Sequence, residues 1–287
     1  MTVHGALGLI TQEKVQHAAS LVKRGQVIPL NSRIDTPKAP FGRAPAVRTA
    51  RMHNEVRPAG HGRFVVFNDD VITMALQGAS HLDALAHFGL IEPGSDGVFY
   101  GGAGLDEVRP EPSAKSLGVG AFGGAIVTRG VLLDAVAVLG SDSGYLPDDA
   151  VVNIGVVQEC LKRQNVELSP GDGVLLFTGH ERRCEGLDGG SPTVSPGVDG
   201  TTLELWAENR VALLASDNAA VERYPIVDHC MHIGALRGLG IPLGEFWSLR
   251  ALAAACSADR DYVFMLVSVP LNIPGAFGSP ANAVAIR

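Results

Sequence analysis

The chain is short of cysteine and of charge, and it has no long apolar run. Its four cysteines, Cys160, Cys184, Cys230 and Cys256, stand far apart without CxxC spacing. That argues against a disulfide scaffold or a zinc-finger framework and suits reduced thiols in a cytoplasm. The longest apolar stretches, such as 173–177 and 263–269, fall well below the ~20 residues that cross a bilayer. Residues 1–10 show no basic region followed by an apolar stretch, so no secretory leader is expected and the expected location is cytoplasmic. The serine elbow GxSxG and the phosphate loop GxxxxGK[ST] are missing, which argues against a serine hydrolase and against a nucleotide enzyme.

Charged residues make up 18% of the chain and hydrophobic ones 46%. The first value lies below the ~25% of typical globular proteins, so a sizeable buried core is expected rather than disorder. The 23 basic and 30 acidic side chains leave a formal charge of −7, and no segment gathers Lys or Arg on one face. Nucleic acid is therefore not an expected partner. At 287 residues, with no repeat or composition shift, one domain over 1–287 is expected.

Glycine and proline are plentiful, at 35 and 17, and they predict many turns. Thr11 is placed to cap a helix through Val15, Ala18, Ala19 and Val22, ending near Gly25, and 26–30 reads as a strand. Residues 31–62 hold four prolines and five arginines without apolar period, and so read as a long loop that forms a pocket wall or an interface. Strands are expected at 63–68, 71–76, 131–134, 173–177, 211–215 and 262–269. Helices are expected at 201–209, at 231–239, and after Asp148 or Asp149 through Leu161. This alternation predicts an α/β fold, rich in strands, with helices packed on the sheet.

The densest set of ligand-type side chains is Gln77-Gly-Ala-Ser-His81-Leu-Asp83-Ala-Leu-Ala-His87-Phe88. If the first part is extended, residues 77, 81 and 83 share a face; if it is helical, 83 and 87 do. Imidazole nitrogen and carboxylate oxygen are the donors that zinc, manganese and iron(II) use, and three protein ligands leave a position open for water. An ion so held brings the pKa of water towards ~7, and a further His can move the proton.

These residues resemble the signature of the metal-dependent cyclase family, which includes bacterial kynurenine formamidases and isatin hydrolases and whose pattern is roughly HxGTHxDxPxHF. Later blocks are similar too: Thr178-Gly-His180, Ser216-Asp217-Asn218 with Glu222, His232 thirteen residues before Glu245, and Gly278-Ser-Pro-Ala-Asn282. The resemblance implies a swivelling β/β/α domain and a homodimer or larger assembly. It makes His81 and Asp83 metal ligands, with Gln77 as a third. It makes His87 the acid/base, and His232 and Glu245 the residues that complete a second site with Asp83. The sequence departs from the pattern at Gln77, where the family has His, and at Leu85, where it has Pro. An amide oxygen is a harder donor than imidazole, so position 77 favours manganese over zinc or weakens one site; one or two ions per chain are expected.

The function so implied is hydrolysis of a small amide, either a lactam, an imide or an N-formyl arylamine, with no role for a membrane. Lactone hydrolysis, a cyclising dehydration, or a non-catalytic binding protein with a decayed site are the alternatives. His180 is expected to bind substrate, and Phe88 and Tyr100 to wall an apolar pocket. His229 is expected to be solvent-exposed, while Arg33, Asp35, Asp217 and Asn218 are expected to shape loops and turns.

Overall fold

The computed structural model describes residues 3–35, 41–109, 117–140, 142–185, 194–226 and 230–287. In chain order its strands are β1 (Val27–Pro29), β2 (Val47–Gly60), β3 (Arg63–Thr73), β4 (His81–Asp83), β5 (Ile126–Asp134), β6 (Val151–Val152) and β7 (Gly173–Phe177), followed by β8 (Gly197–Val198), β9 (Leu213–Ser216), β10 (Leu243–Glu245), β11 (Val263–Ser268), β12 (Gly278–Pro280) and β13 (Ala283–Ile286). Its α-helices are α1 (Gln12–Ser20), α2 (Ala135–Leu139), α3 (Ile154–Gln164), α4 (His180–Cys184), α5 (Leu203–Glu208) and α6 (Arg250–Asp259), with a π-helix at Ile233–Leu239. Nine strands form one mixed sheet in the order β1-β13-β11-β5-β7-β9-β10-β4-β12.

The middle of this sheet is parallel, β5 to β7 to β9 to β10. Parallel strands are covered on both faces, so they read as unbroken apolar runs. Val131-Leu-Leu133, Val174-Leu-Leu176 and Leu213-Leu-Ala215 are such runs and are buried throughout. Helices α1, α2, α3 and α6 pack on β5 and β7; Ala18, Val157, Cys160, Leu252 and Cys256 turn their side chains inward. The expected architecture, a strand-rich α/β fold with helices on the sheet, is the one observed.

Several local expectations need correction. Residues 31–62 are not all loop, because Val47–Gly60 is β2, paired antiparallel with β3 in a separate two-stranded ribbon. Pro58 did not prevent this, since a two-stranded ribbon has a free edge where a missing N–H costs nothing. The strands expected at 63–68 and 71–76 are one continuous strand, Arg63–Thr73. The helix expected after Asp148 or Asp149 starts later, with Asn153 accepting a hydrogen bond from the Val156 amide as its cap. Thr11 caps α1 as expected, through Lys14 N–H, but the helix stops at Ser20. Gly118–Gly123 spells GxGxxG, yet it forms a 3-10 turn ahead of β5 instead of joining a strand to a following helix, so it lacks the context of a dinucleotide loop.

The site is placed by three short strands at one end of the sheet. β4 lies between β10 and β12, antiparallel to both, with His81 opposite Glu245 and Pro280, and Asp83 opposite Leu243 and Gly278. Side chains alternate along a strand and agree in direction across a pair, so His81, Asp83 and Glu245 share a face.

Candidate metal centre

That face is buried. His81, Asp83 and Glu245 are 0%, 0% and 2% exposed, and His232, at the start of the π-helix, closes over them at 7%. A π turn widens a helix locally and recurs at functional sites. Three imidazoles and two carboxylates meet here. His81 Nε2 is 3.5 Å from Asp83 Oδ1 and 3.6 Å from Glu245 Oε2. His232 Nε2 is 3.1 Å from Glu245 Oε1 and 3.9 Å from Asp83 Oδ2, and His87 Nε2 is 3.6 Å from Asp83 Oδ1.

Four of these atoms, His81 Nε2, both Asp83 oxygens and Glu245 Oε2, are buried without a hydrogen-bond partner among the described residues. Leaving buried polar atoms unpaired costs roughly 1–3 kcal/mol each, so such a group in one place calls for an explanation. A divalent ion supplies it. Ligands at ~2.1 Å from a common ion stand roughly 3.0–3.5 Å from one another, close to the 3.5 and 3.6 Å that separate His81 Nε2 from Asp83 Oδ1 and Glu245 Oε2, which are too long for good hydrogen bonds. One ligand atom each from His81, Asp83 and Glu245 lies within 4.8 Å of the others, and the donor chemistry, imidazole with carboxylate, suits a divalent ion.

The far sides of the imidazoles are also fixed. His81 Nδ1 lies 2.7 Å from the Ala79 carbonyl, and His232 Nδ1 lies 2.5 Å from Glu222 Oε1. Each contact keeps a proton on Nδ1, so that Nε2, the nitrogen that carries the lone pair when the ring is neutral, faces the cluster. Glu222 is itself held by the Met231 amide at 2.6 Å. Its part was not anticipated from sequence, because only the fold brings a residue ten positions away to the ring of His232.

The charges of the cluster act on one another. Burial disfavours charge on His81, but Asp83 and Glu245 outweigh it and raise its pKa. Burial likewise opposes the Asp83 carboxylate, yet His81, His87 and His232 hold its pKa down at about 2. For His232, hydrogen bonds to Glu222 and Glu245 overcome burial and raise the pKa well above its ordinary value. His87 behaves differently. Burial lowers its pKa, and Asp83 and Glu245 only partly oppose this, so it is neutral near pH 7 with its side chain still 21% exposed.

The remaining expected residues fall into two groups. Gln77 and Phe88 are at the cluster. The Gln77 amide occupies the space where a Cβ on residue 278 would sit, and Gly278 is the cross-strand partner of Asp83. The Phe88 ring is 5.3 Å from the His232 ring and 6.2 Å from His87, and it is 38% exposed. His180 and Tyr100 are placed by other elements. His180 begins α4 beyond β7, two strands from β10, and is buried, with its Nε2 3.3 Å from Cys184 Sγ. Tyr100 lays its ring against Gly240 at the end of the π-helix. Asp217 accepts from the Thr178 and His180 amides and ties the end of β7 to that of β9; Asn218 braces the turn through Val221 N–H. Arg33 and Asp35 form an exposed ion pair in the loop. His229 is outside the described residues.

With this geometry in view, the comparisons with known proteins are specific. Residues 28–223 match the model of the family Cyclase, described as "Putative cyclase", and the chain belongs to that family. It is similar to the crystal structure of a novel cyclase, with 32% identity, a TM-score of 0.89, and coverage of 99% of this chain and 96% of that one. Isatin hydrolase A from Labrenzia aggregata, solved with benzyl benzoate, shares the fold at 18% identity and a TM-score of 0.61, with 93% and 94% covered. So does a structure described as a potential metal-dependent hydrolase with cyclase activity, at 16% identity and a TM-score of 0.56, with 91% and 98% covered. Nothing among the curated proteins matches. Among the described residues no helix is long and apolar enough to cross a membrane.

Proposed function

We propose that the protein is a metal-dependent hydrolase of a small amide, either a lactam or imide or an N-formyl arylamine, working with manganese or zinc. The observation that carries this reading is the set of unpaired buried donors on His81, Asp83 and Glu245, with His87 Nε2 3.6 Å from Asp83. His81, Asp83, His232 and Glu245 hold the ion, with the Gln77 amide as an additional weak donor beside Asp83. When bound, a divalent ion acts as a Lewis acid and activates water near neutral pH.

The chain's own groups do the rest. His87 Nε2, unprotonated near neutral pH, takes a proton and later delivers it to the departing nitrogen. That second role separates amides from esters, because an amine leaves only when protonated. Glu222 keeps His232 aimed inward, and the Phe88 ring offers an apolar face to an aromatic or cyclic substrate. The fold relatives named for isatin hydrolysis and for metal-dependent hydrolysis support the same class, and the same reading has the chain act as a homodimer or larger assembly in a cytoplasm.

The test is elemental analysis of the purified chain followed by paired assays on a lactam and the lactone of the same ring. Bound manganese or zinc with faster turnover of the lactam supports the reading. No metal after incubation with both ions, or activity on the lactone alone, refutes it.

A further inference from the structure

We propose that a cleft past the carboxyl ends of β5 and β7 binds a small amino-carboxylate, a molecule with an ammonium group and a carboxylate on an apolar body. The cleft holds about 410 Å³ and shares no lining residue with the metal centre, so the inference stands whether or not that centre hydrolyses amides. Both features lie along one edge of the sheet. Asp134 ends β5, Phe177 ends β7 and Glu245 ends β10, and these strands run parallel through β9. Crevices beyond the carboxyl ends of parallel strands are where α/β sheets take ligands. From β7 to β10 is two strand spacings, roughly 10 Å.

Small side chains make the space. Residues 250, 253, 254 and 257 fall on one face of α6 at helical spacing, and on it Ala253, Ala254 and Ser257 leave room that larger residues would fill. Val136, Ala137 and Phe177 continue the apolar wall, which takes a hydrocarbon body.

The charged lining has both signs: Arg182 on α4 and Arg250 on α6, Asp134 at the end of β5 and Asp142 after α2. Arg182 is held in place by Gly144. A Cβ on residue 144 would sit 2.6 Å from the guanidinium, and Gly144 takes φ +76°, which only glycine adopts without strain. Arg250 shares its charge with Glu185 at 2.5 Å. Arg182 forms no ion pair among the described residues and offers its planar fork to a carboxylate.

Asp134 is the matching acid. It is 8% exposed, and its Oδ1 accepts the Ala137 amide at 2.9 Å as the cap of α2. Burial pushes its pKa up, opposed by the Ala137 and Val136 amides and by no cation among the described residues. Buried charges are ordinarily paired, and an ammonium group in the cleft supplies the missing partner. A simple anion would satisfy Arg182 and leave Asp134 alone, so the mixed lining favours an amino-carboxylate over a ligand with either end by itself.

Calorimetric titration of the full chain with L-phenylalanine tests the proposal, beside hydrocinnamate, which lacks the ammonium group, and phenethylamine, which lacks the carboxylate. One L-phenylalanine is expected to bind per chain, and each partial ligand roughly 10-fold more weakly or worse. Arg182→Ala is expected to weaken L-phenylalanine roughly 10–100-fold. Ala254→Phe, at an exposed position of α6, is expected to abolish its binding by filling the cleft, with metal content unchanged in both variants. Asp134→Asn keeps the cap, since Asn and Asp cap about equally well, and is expected to bind L-phenylalanine no better than hydrocinnamate. No saturable binding of L-phenylalanine at millimolar concentration overturns the proposal, as does binding that survives either Arg182→Ala or Ala254→Phe. Hydrocinnamate or phenethylamine binding the wild type as tightly as L-phenylalanine overturns the choice of ligand class, and an Asp134→Asn variant that still prefers L-phenylalanine overturns the part given to Asp134.

Discussion

His87 and Glu222 serve the same centre by different means, and substitution separates them. His87 touches the cluster from its open side and does not complete the set of orphaned donors. His87→Ala is therefore expected to lower kcat by roughly 10²–10⁴ while metal content per chain stays unchanged; a loss of metal would instead make it a ligand. Glu222 never faces the ion. It acts through His232 Nδ1 at 2.5 Å, and Glu222→Gln removes the charge that holds the proton there. The expected result is a 10–100-fold weaker metal affinity, read by competition with a chelating dye, and unchanged affinity would show that His232 is not oriented by Glu222. The contrast also explains what was legible at this scale. His81, Asp83 and His87 announce themselves because they are local. Glu222 is one of 30 acidic residues until the fold sets it against an imidazole.

Among the elements, the long strands of the sheet middle were readable and the short ones beside the site were not. Gly173–Phe177 and Val263–Ser268 carry continuous apolar runs, whereas β10 and β12 have three residues each, including a glycine. Such segments become strands because β4 lies between them, a tertiary cause that no propensity reports. The β2–β3 ribbon was half legible for a related reason: with both faces exposed, its polar and apolar residues follow no period. The turn after β7 offers a pH test. Burial lowers the His180 pKa to about 4, so between about 4 and its ordinary 6.5 the unfolded chain binds more protons than the folded one. Stability from this group is fully present above 6.5 and is lost as pH falls through that window, by up to about 3 kcal/mol. Asp217 runs the other way, since burial raises its pKa to about 6, and its contribution declines as pH rises from about 4 to 6. Urea unfolding of the wild type minus His180→Gln isolates the first effect. The difference is expected to shrink from pH 7 to pH 4.5, and a difference independent of pH would show that His180 is not held neutral by the fold.

For the whole molecule, the centre couples folding to the ion. The folded chain brings Asp83, Glu222 and Glu245 together with three imidazoles in a buried space, and without an ion their mutual repulsion is relieved only by protons. An unfolded chain has no such arrangement, so a divalent ion binds the folded state almost alone. At a free concentration 100 times its dissociation constant it adds about 2.7 kcal/mol of stability. For a chain of this size that amounts to a Tm higher by roughly 4–5 °C. Scanning calorimetry with and without a chelator is expected to show that loss, restored by manganese or zinc. The double variant Asp83→Asn with Glu245→Gln is expected to be insensitive to chelator, because its neutral amides neither repel one another nor attract the ion. A wild-type Tm that ignores the chelator would mean that the buried carboxylates are balanced by protons on His81 and His232, which would make the centre an ion-paired core rather than a metal site.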